Sequence, residues 1–268
     1  MSEPDRPLKS TIVAFLTDAQ LSIEEITVSS TKTPDLRING GLPDETLLEI
    51  KSKEDDPDFM AGLYSDLESG KLVHYNKSTT YWNRFDGLIT DGIEQFKQID
   101  PARECLRVFW IDCSGFDADQ LQTRLRATLY GTRHLFCTER PTIVTCFYFE
   151  HSSFFTHRRD LDGVVISREG DAALNLNDHS PHFTRIQGSG FCRAFGDAIY
   201  YPAQYSKDED YMFNDSSEQR GDEHKTLEYL RKKYGISDMH TFDLSMHAGL
   251  VRVSKNYQDS AAETNEGE

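Results

Sequence analysis

The chain has little of what marks a membrane, secreted or zinc-stapled protein. No run of about 18 apolar residues occurs, so no membrane-spanning helix is expected. The start, Met1-Ser2-Glu3-Pro4-Asp5, lacks a positively charged segment and an apolar core, so no signal peptide is expected. The 5 cysteines are odd in number and include no Cys-x-x-Cys, which points away from a disulfide framework and toward a reducing, cytoplasmic setting. Of the 9 histidines, the pair His179 and His182 is spaced for a metal but has no cysteine knuckle to complete a structural zinc site. There is no Gly-x-Ser-x-Gly elbow, which argues against a serine hydrolase. Gln187-Gly188-Ser189-Gly190-Phe191 is glycine-rich but lacks the lysine of a phosphate loop, so it is expected to be a turn.

Positive charge is also scarce. Lys and Arg total 29 against 45 Asp and Glu, for a net charge of −16. So acidic a whole repels a polyanion at long range. The acid is bunched at Glu54-Asp55-Asp56, at Asp208-Glu209-Asp210 and in the tail from Glu263 to Glu268. Basic points fall in the middle, at Arg124, Arg126, Arg133, Arg140 and His157-Arg158-Arg159; the last run is expected to be a solvated loop. A basic groove within an acidic surface is compatible with this pattern.

What the chain does have is enough length and aromatic content to bury a sizeable core. Its most informative stretch is 34–51, Pro-Asp-Leu-Arg-Ile-Asn-Gly-Gly-Leu-Pro-Asp-Glu-Thr-Leu-Leu-Glu-Ile-Lys. Alternating polar and apolar residues predict strands at 35–38 and 47–51, and Asn39-Gly40-Gly41 with Pro43-Asp44 supply turn chemistry between them. Antiparallel pairing then brings Asp35 opposite the end of the second strand carrying Glu49 and Lys51. Those two share one face, while Leu48 and Ile50 point into a core. Two carboxylates that close repel unless a cation lies between them, and oxygen ligands suit magnesium. Such an ion polarises a phosphoryl oxygen and acidifies a bound water, and Lys51 would orient that water or stabilise the phosphate. The plainer reading of the same residues is a solvated strand face with a cross-strand charge pair.

The order Pro-Asp, hairpin, Glu-x-Lys resembles the PD-(D/E)XK nuclease superfamily. The resemblance implies an α/β, restriction-endonuclease-like core with a mixed central sheet flanked by helices, and hydrolysis of phosphodiester bonds, in DNA first. It implies Asp35 and Glu49 as ligands of Mg2+, with Mn2+ as a substitute, the Ile50 carbonyl as a third ligand, and Lys51 acting on the water. The family's glutamate in the first helix has no counterpart in the helix predicted over 7–18; Glu24 or Glu25, in a strand predicted over 21–29, is the nearest substitute. Gln95 matches a glutamine that some members carry near the metal, against the plainer reading of a surface glutamine. The missing helix glutamate and the acidic charge favour an alternative: a catalytically silent relative serving as a protein- or DNA-binding subunit. The family's dimers leave a homodimer or a partner subunit open.

Further along, apolar spacing predicts helices over 58–67 and 85–99, the latter carrying Phe85, Ile89, Ile93 and Phe96 on one face. A nearly continuous apolar run predicts a strand buried on both faces over 106–112, followed by a helix capped by Asp117. Strands are expected at 142–149, 162–166, 174–178 and 198–201, and the aromatics Phe147, Tyr148, Phe149, Phe154 and Phe155 are expected in the core. The chain divides into a nuclease-like domain over 1–205, an acidic linker with a loosely packed helical extension over 206–253, and a disordered acidic tail over 254–268.

Overall fold

The computed structural model describes residues 5–26, 33–40, 45–54, 57–78, 83–139, 141–216, 220–243 and 246–251. Helix α1 (Asp5–Asp18) leads into a meander of β1 (Ser22–Glu25), β2 (Leu36–Asn39) and β3 (Glu45–Lys53). The chain then runs through α2 (Pro57–Glu68), β4 (Val73–Ser78) and α3 (Asn83–Ile99) to β5 (Leu106–Cys113). Helix α4 (Ala118–Tyr130), β6 (Arg133–Cys137), β7 (Thr142–Phe147) and the single turn α5 (Ser153–Thr156) precede β8 (Gly163–Arg168) and β9 (Asp171–Leu176). The last elements are α6 (Phe183–Gly188), α7 (Gly190–Arg193), β10 (Ile199–Tyr200), β11 (Tyr211–Phe213), α8 (Glu223–Tyr234), β12 (Met239–Phe242) and β13 (Met246–Val251).

The protein is α/β, with a mixed central sheet flanked by helices. That sheet has seven strands in the order β1-β2-β3-β5-β8-β9-β10. β1, β2 and β3 are antiparallel, β3, β5 and β8 run parallel, and β9 turns back antiparallel. β5 lies in the middle and is buried along nearly its whole length, which is why its sequence is almost unbroken Leu, Val, Phe, Trp and Ile.

Alternation along β3 and β5 divides the core in two. Leu47, Phe109, Ile111, Val164 and Ile166 pack beneath α3 and α4 with Phe85, Ile89, Ile93 and Phe96. Leu48, Ile50, Val108, Trp110 and Val165 face the other way, onto Ile12 and Leu16 of α1 and Ile186 and Phe191 of α6 and α7. The helices fit because their apolar residues recur at three- and four-residue steps. Helix α4 stops at Gly131, at φ 58, whose N–H reaches the Ala127 carbonyl. A side chain there would collide with the Glu150 carbonyl at 2.6 Å, so glycine is needed both for the left-handed turn and for space.

Several expectations need correction. β6 and β7 do not join the central sheet; with β11 and β12 they form a second sheet in the order β11-β7-β6-β12. The boundary expected at 205 is therefore crossed by a sheet, because β11 falls inside the supposed acidic linker and pairs in parallel with β7. Nor is α8 loosely packed. Leu227 and Leu230 close on Leu135, Val144, Cys146, Met212 and Met239 as a third core, and the helix is capped by Asp222 and Gly235. Asp117 stands at the start of α4 but makes no side-chain capping bond. The turn at 41–44, Arg140, and the tail expected to be disordered lie outside the described residues. Among the described residues no helix is long and apolar enough to cross a membrane.

Helix α3 crosses β5 at Gly92, where a Cβ would lie 2.4 Å from the Phe109 ring. That ring is fully buried and packed edge-on against Phe96 at 5.2 Å, so it has nowhere to retreat. Gly92→Ala is expected to destabilise the protein by about 1–3 kcal/mol despite alanine's better helix propensity. Urea unfolding measures this, and adding Phe109→Leu should recover part of the loss.

Candidate active site

The hairpin forms in the expected register. Leu36 pairs with Leu48 and Ile38 with Thr46, so one further step places Asp35 opposite Glu49. There the ladder changes character. The Asp35 N–H still donates to the Leu48 carbonyl at 3.1 Å, but the Ile50 N–H donates to the Asp35 carboxylate, Oδ2, at 2.8 Å. A side chain has replaced the backbone of β2, and the two strands part at this point. A residue's N–H and C=O point to the same side of its strand, so the Ile50 carbonyl faces the same fork.

Glu49 lies on the α3 side of β3 and is only 2% exposed. Three neighbours meet it. The Lys51 ammonium is 2.5 Å from Oε1. Gln95 comes down from α3; with its amide nitrogen turned inward, the orientation that satisfies both ends of the amide, it donates to Oε1 at 3.1 Å and to the Thr33 carbonyl at 3.2 Å. Gly92, one turn earlier on α3, leaves room for this: even a Cβ there would stand 3.7 Å from the Glu49 Cγ. Gln95 is thus a buried residue rather than a surface one.

Burial pushes the Glu49 carboxyl up to about 7; Lys51 opposes the shift and the charge of Asp35 adds to it. An acid with a lysine in contact that still titrates near neutrality has been stripped of water faster than it has been compensated. The site as it stands can hold one more positive charge.

Asp35, Glu49, Lys51, the Ile50 backbone and Gln95 therefore converge on one fork in the sheet. Glu25 does not join them. Its side of β1 faces α1, where its carboxylate pairs with Lys9 at 2.8 Å. Glu24 lies across from Arg37, on β1 and two positions along β2 from Asp35. Helix α1 turns Ile12 and Leu16 into the opposite face of the sheet, so its lack of a glutamate leaves the fork unchanged. The sequence did not single out Lys53, the last residue of β3. Lys53 follows Lys51 by two residues and so shares its face, a period the sequence did contain.

The other candidate residues go elsewhere. His179 is wedged against the rings of Tyr148 and Phe155, and burial pushes its imidazole down to about 4. His182 instead sits 3.8 Å from the buried Asp162. In the 157–159 run, His157 is 3.7 Å from Asp86 and Arg158 stacks on Phe155 at 4.5 Å, so these two brace the fold, while Arg159 is exposed in the turn. Residues 187–191 form the junction of α6 and α7, with Ser189 capping α7. Among the described residues no group of three or more His, Cys, Asp or Glu side chains is placed to hold a metal. Asp35 and Glu49 make a pair, and a backbone carbonyl and water would have to complete a coordination shell.

No protein-family model, curated protein or solved structure matches the chain. What the site can do rests on its geometry.

The pH dependence of stability follows from Glu49. Its folded carboxyl titrates near 7, above the usual ~4.3. The folded state therefore holds the proton more tightly, so this stabilisation is complete below pH ~4.3 and is lost as pH rises through 7. The loss is on the order of 3 kcal/mol for the metal-free protein. Glu49→Gln is expected to remove most of that slope and to be the more stable form at pH 8 but not at pH 4.5. Urea midpoints of both proteins at the two pH values check it.

Proposed function

We propose that this chain is a magnesium-dependent nuclease with a restriction-endonuclease-like core, hydrolysing phosphodiester bonds, in DNA first. The observation that carries the reading is the fork at Asp35 and Glu49, where two carboxylates and the Ile50 carbonyl meet beside Lys51 and one carboxylate lacks full compensation. The topology supports it: a helix, a three-strand meander, and a crossover through α3 to a strand parallel to β3. All five cysteines are buried and none forms a disulfide, which agrees with a cytoplasmic address.

The donor set fits magnesium, which takes hard oxygen ligands, uses one or two carboxylates and keeps several waters. Asp35 and Glu49 would hold the ion, with the Ile50 carbonyl beside them. Bound there, the ion supplies Lewis acidity and a more acidic water. The chain's own residues do the rest. Gln95 holds the Glu49 carboxylate in place from α3. The charged ammonium of Lys51 orients the attacking water and stabilises the negative charge that builds on the phosphate oxygens. The water oxygen bonds to phosphorus and gives up a proton to solvent, the bond to the leaving oxygen breaks, and that oxygen takes up a proton from solvent water.

A second reading, a silent subunit that binds protein or DNA, draws on the close Glu49–Lys51 pair, which offsets one of the two carboxylates from within, and on a first helix that brings no acid to the site.

Purified protein is expected to nick supercoiled plasmid with magnesium or manganese and not with a chelator. Lys51→Ala and Asp35→Asn should each lower the rate ~10²-fold or more. Magnesium should raise the melting temperature of wild type and not of Asp35→Asn. Absence of cleavage by folded protein, with either metal and on single- and double-stranded substrates, would leave the silent subunit in its place.

A further inference from the structure

The acidic run Asp208-Glu209-Asp210 has no part in the fork. It leads into β11, in the second sheet, none of whose strands belongs to the sheet that carries Asp35 and Glu49. Helix α8 covers the core face of that second sheet and ends at Gly235, φ 66, whose N–H reaches the Arg231 carbonyl. Ile236 turns back onto the same carbonyl, at 3.2 Å. Beside Ile236 the core face opens into a pit of about 260 Å³. Its floor is Cys137, Val144, Met212 and Ile236, all buried members of the third core.

The mouth has the opposite character. Glu209 and Asp210 line it and are exposed. Their backbone is fixed: the Asp210 carbonyl accepts the Thr145 N–H of β7 at 2.9 Å, and the Asp210 N–H donates to the Asp208 carboxylate at 3.0 Å. Glu139, two residues past Cys137, is also exposed, and its carboxylate accepts the N–H of Ser237, the residue after Ile236, at 2.9 Å. Among the described residues that line the pit there is no lysine or arginine. Like charges above an apolar floor focus a negative potential on one spot. The pit is smaller than the ~300–1,000 Å³ of small-molecule sites and suits one long side chain. Lysine and arginine join an apolar stem to a cationic head and keep that head at the boundary with water.

We propose that this pit is a docking site for a basic segment of a partner protein. The segment lays the stem of one lysine or arginine on Met212 and Ile236 and sets its charge beside Glu209 and Asp210. The same carboxylates repel nucleic acid, so the pit selects protein. The docking site stands whether or not the fork cuts phosphodiesters.

The test is methyl NMR of the full chain labelled at methionine and isoleucine, titrated at low salt with acetyl-Ala-Arg-Ala-Arg-Ala-amide. Saturable shifts of the Met212 and Ile236 methyl groups are expected. Asp210→Asn should weaken binding ~2–5-fold, Glu209→Gln added to it should weaken it further, and rising salt should do the same. Thr142→Trp, which fills the pit from an exposed lining position, should abolish the shifts. Glu68→Gln, exposed on α2, should change nothing. Should the double variant misfold, Asp210→Asn on its exposed position carries the test. Unmoved Met212 and Ile236 methyl groups overturn the proposal, as does an equal response to the same peptide with norleucine in place of arginine. Agmatine binding as tightly as the peptide also overturns it, making the pit a site for a free amine. So does a DNA oligonucleotide that shifts the same two methyl groups.

Discussion

A single carboxylate taken out of water organises one side of this molecule. Glu49 lies in a strand whose neighbours on the same face, Leu47 and Phe109, belong to the core beneath α3. A charge in that position is costly unless it is paired and hydrogen-bonded. The surrounding structure meets the cost only in part, with one lysine and one glutamine. Helix α3 carries Gln95 to the acid and, one turn earlier, Gly92 over the Phe109 ring, an i, i+3 pair on the face that rests on the sheet. A leucine at 95 would take that amide away from the acid, and any side chain at 92 would strike the Phe109 ring. The helix has been shaped around the acid.

The opposite end of the same parallel strands shows what full compensation looks like. Asp162, also completely buried, accepts from Arg103 at 2.8 Å, from Ser180 at 2.5 Å and from the Arg107 backbone at 2.7 Å. Arg107 itself reaches Asp100 and Asp160. The Asp162 carboxylate is thus satisfied at both oxygens, an arrangement expensive to break and chemically quiet. The two ends of one sheet thus treat a buried acid differently. At the amino end the partners outnumber the charge, and at the carboxyl end the charge outruns its partners, which is where a cation has something to do.

The hairpin was readable because its signals are local. Turn residues, alternation and register needed nothing beyond residues 34–51, and they put Asp35, Glu49 and Lys51 together. Glu25 misled because alternation says which residues share a face and not which face a strand turns toward a given helix; only the pairing with Lys9 of α1 settles that. Gln95 required knowing that α3 crosses the sheet at Gly92, one turn before Gln95. Lys53 obeyed the same period as Lys51 but was hidden by the acidic run that follows it. The second sheet was missed for a different reason. β6, β11 and β12 are short, and β11 is three residues inside a run of acids, so composition outweighed the Tyr-Met-Phe that packs there.

The overall charge of −16 and a phosphate-binding role conflict less than the total suggests. Exposed charges are screened beyond about 8 Å at physiological salt, so remote acids lower the rate of encounter with a polyanion more than the strength of contact. At contact the local arrangement decides. There, a phosphate at the proposed site would meet Lys51, and the two carboxylates nearest to it are those that a divalent ion would neutralise. With the ion bound, the cluster of Asp35, Glu49 and Lys51 would change from net negative to net positive. A docking surface that turns attractive only when its metal is in place would tie binding to readiness for hydrolysis, and it needs no excess of basic residues elsewhere on the protein.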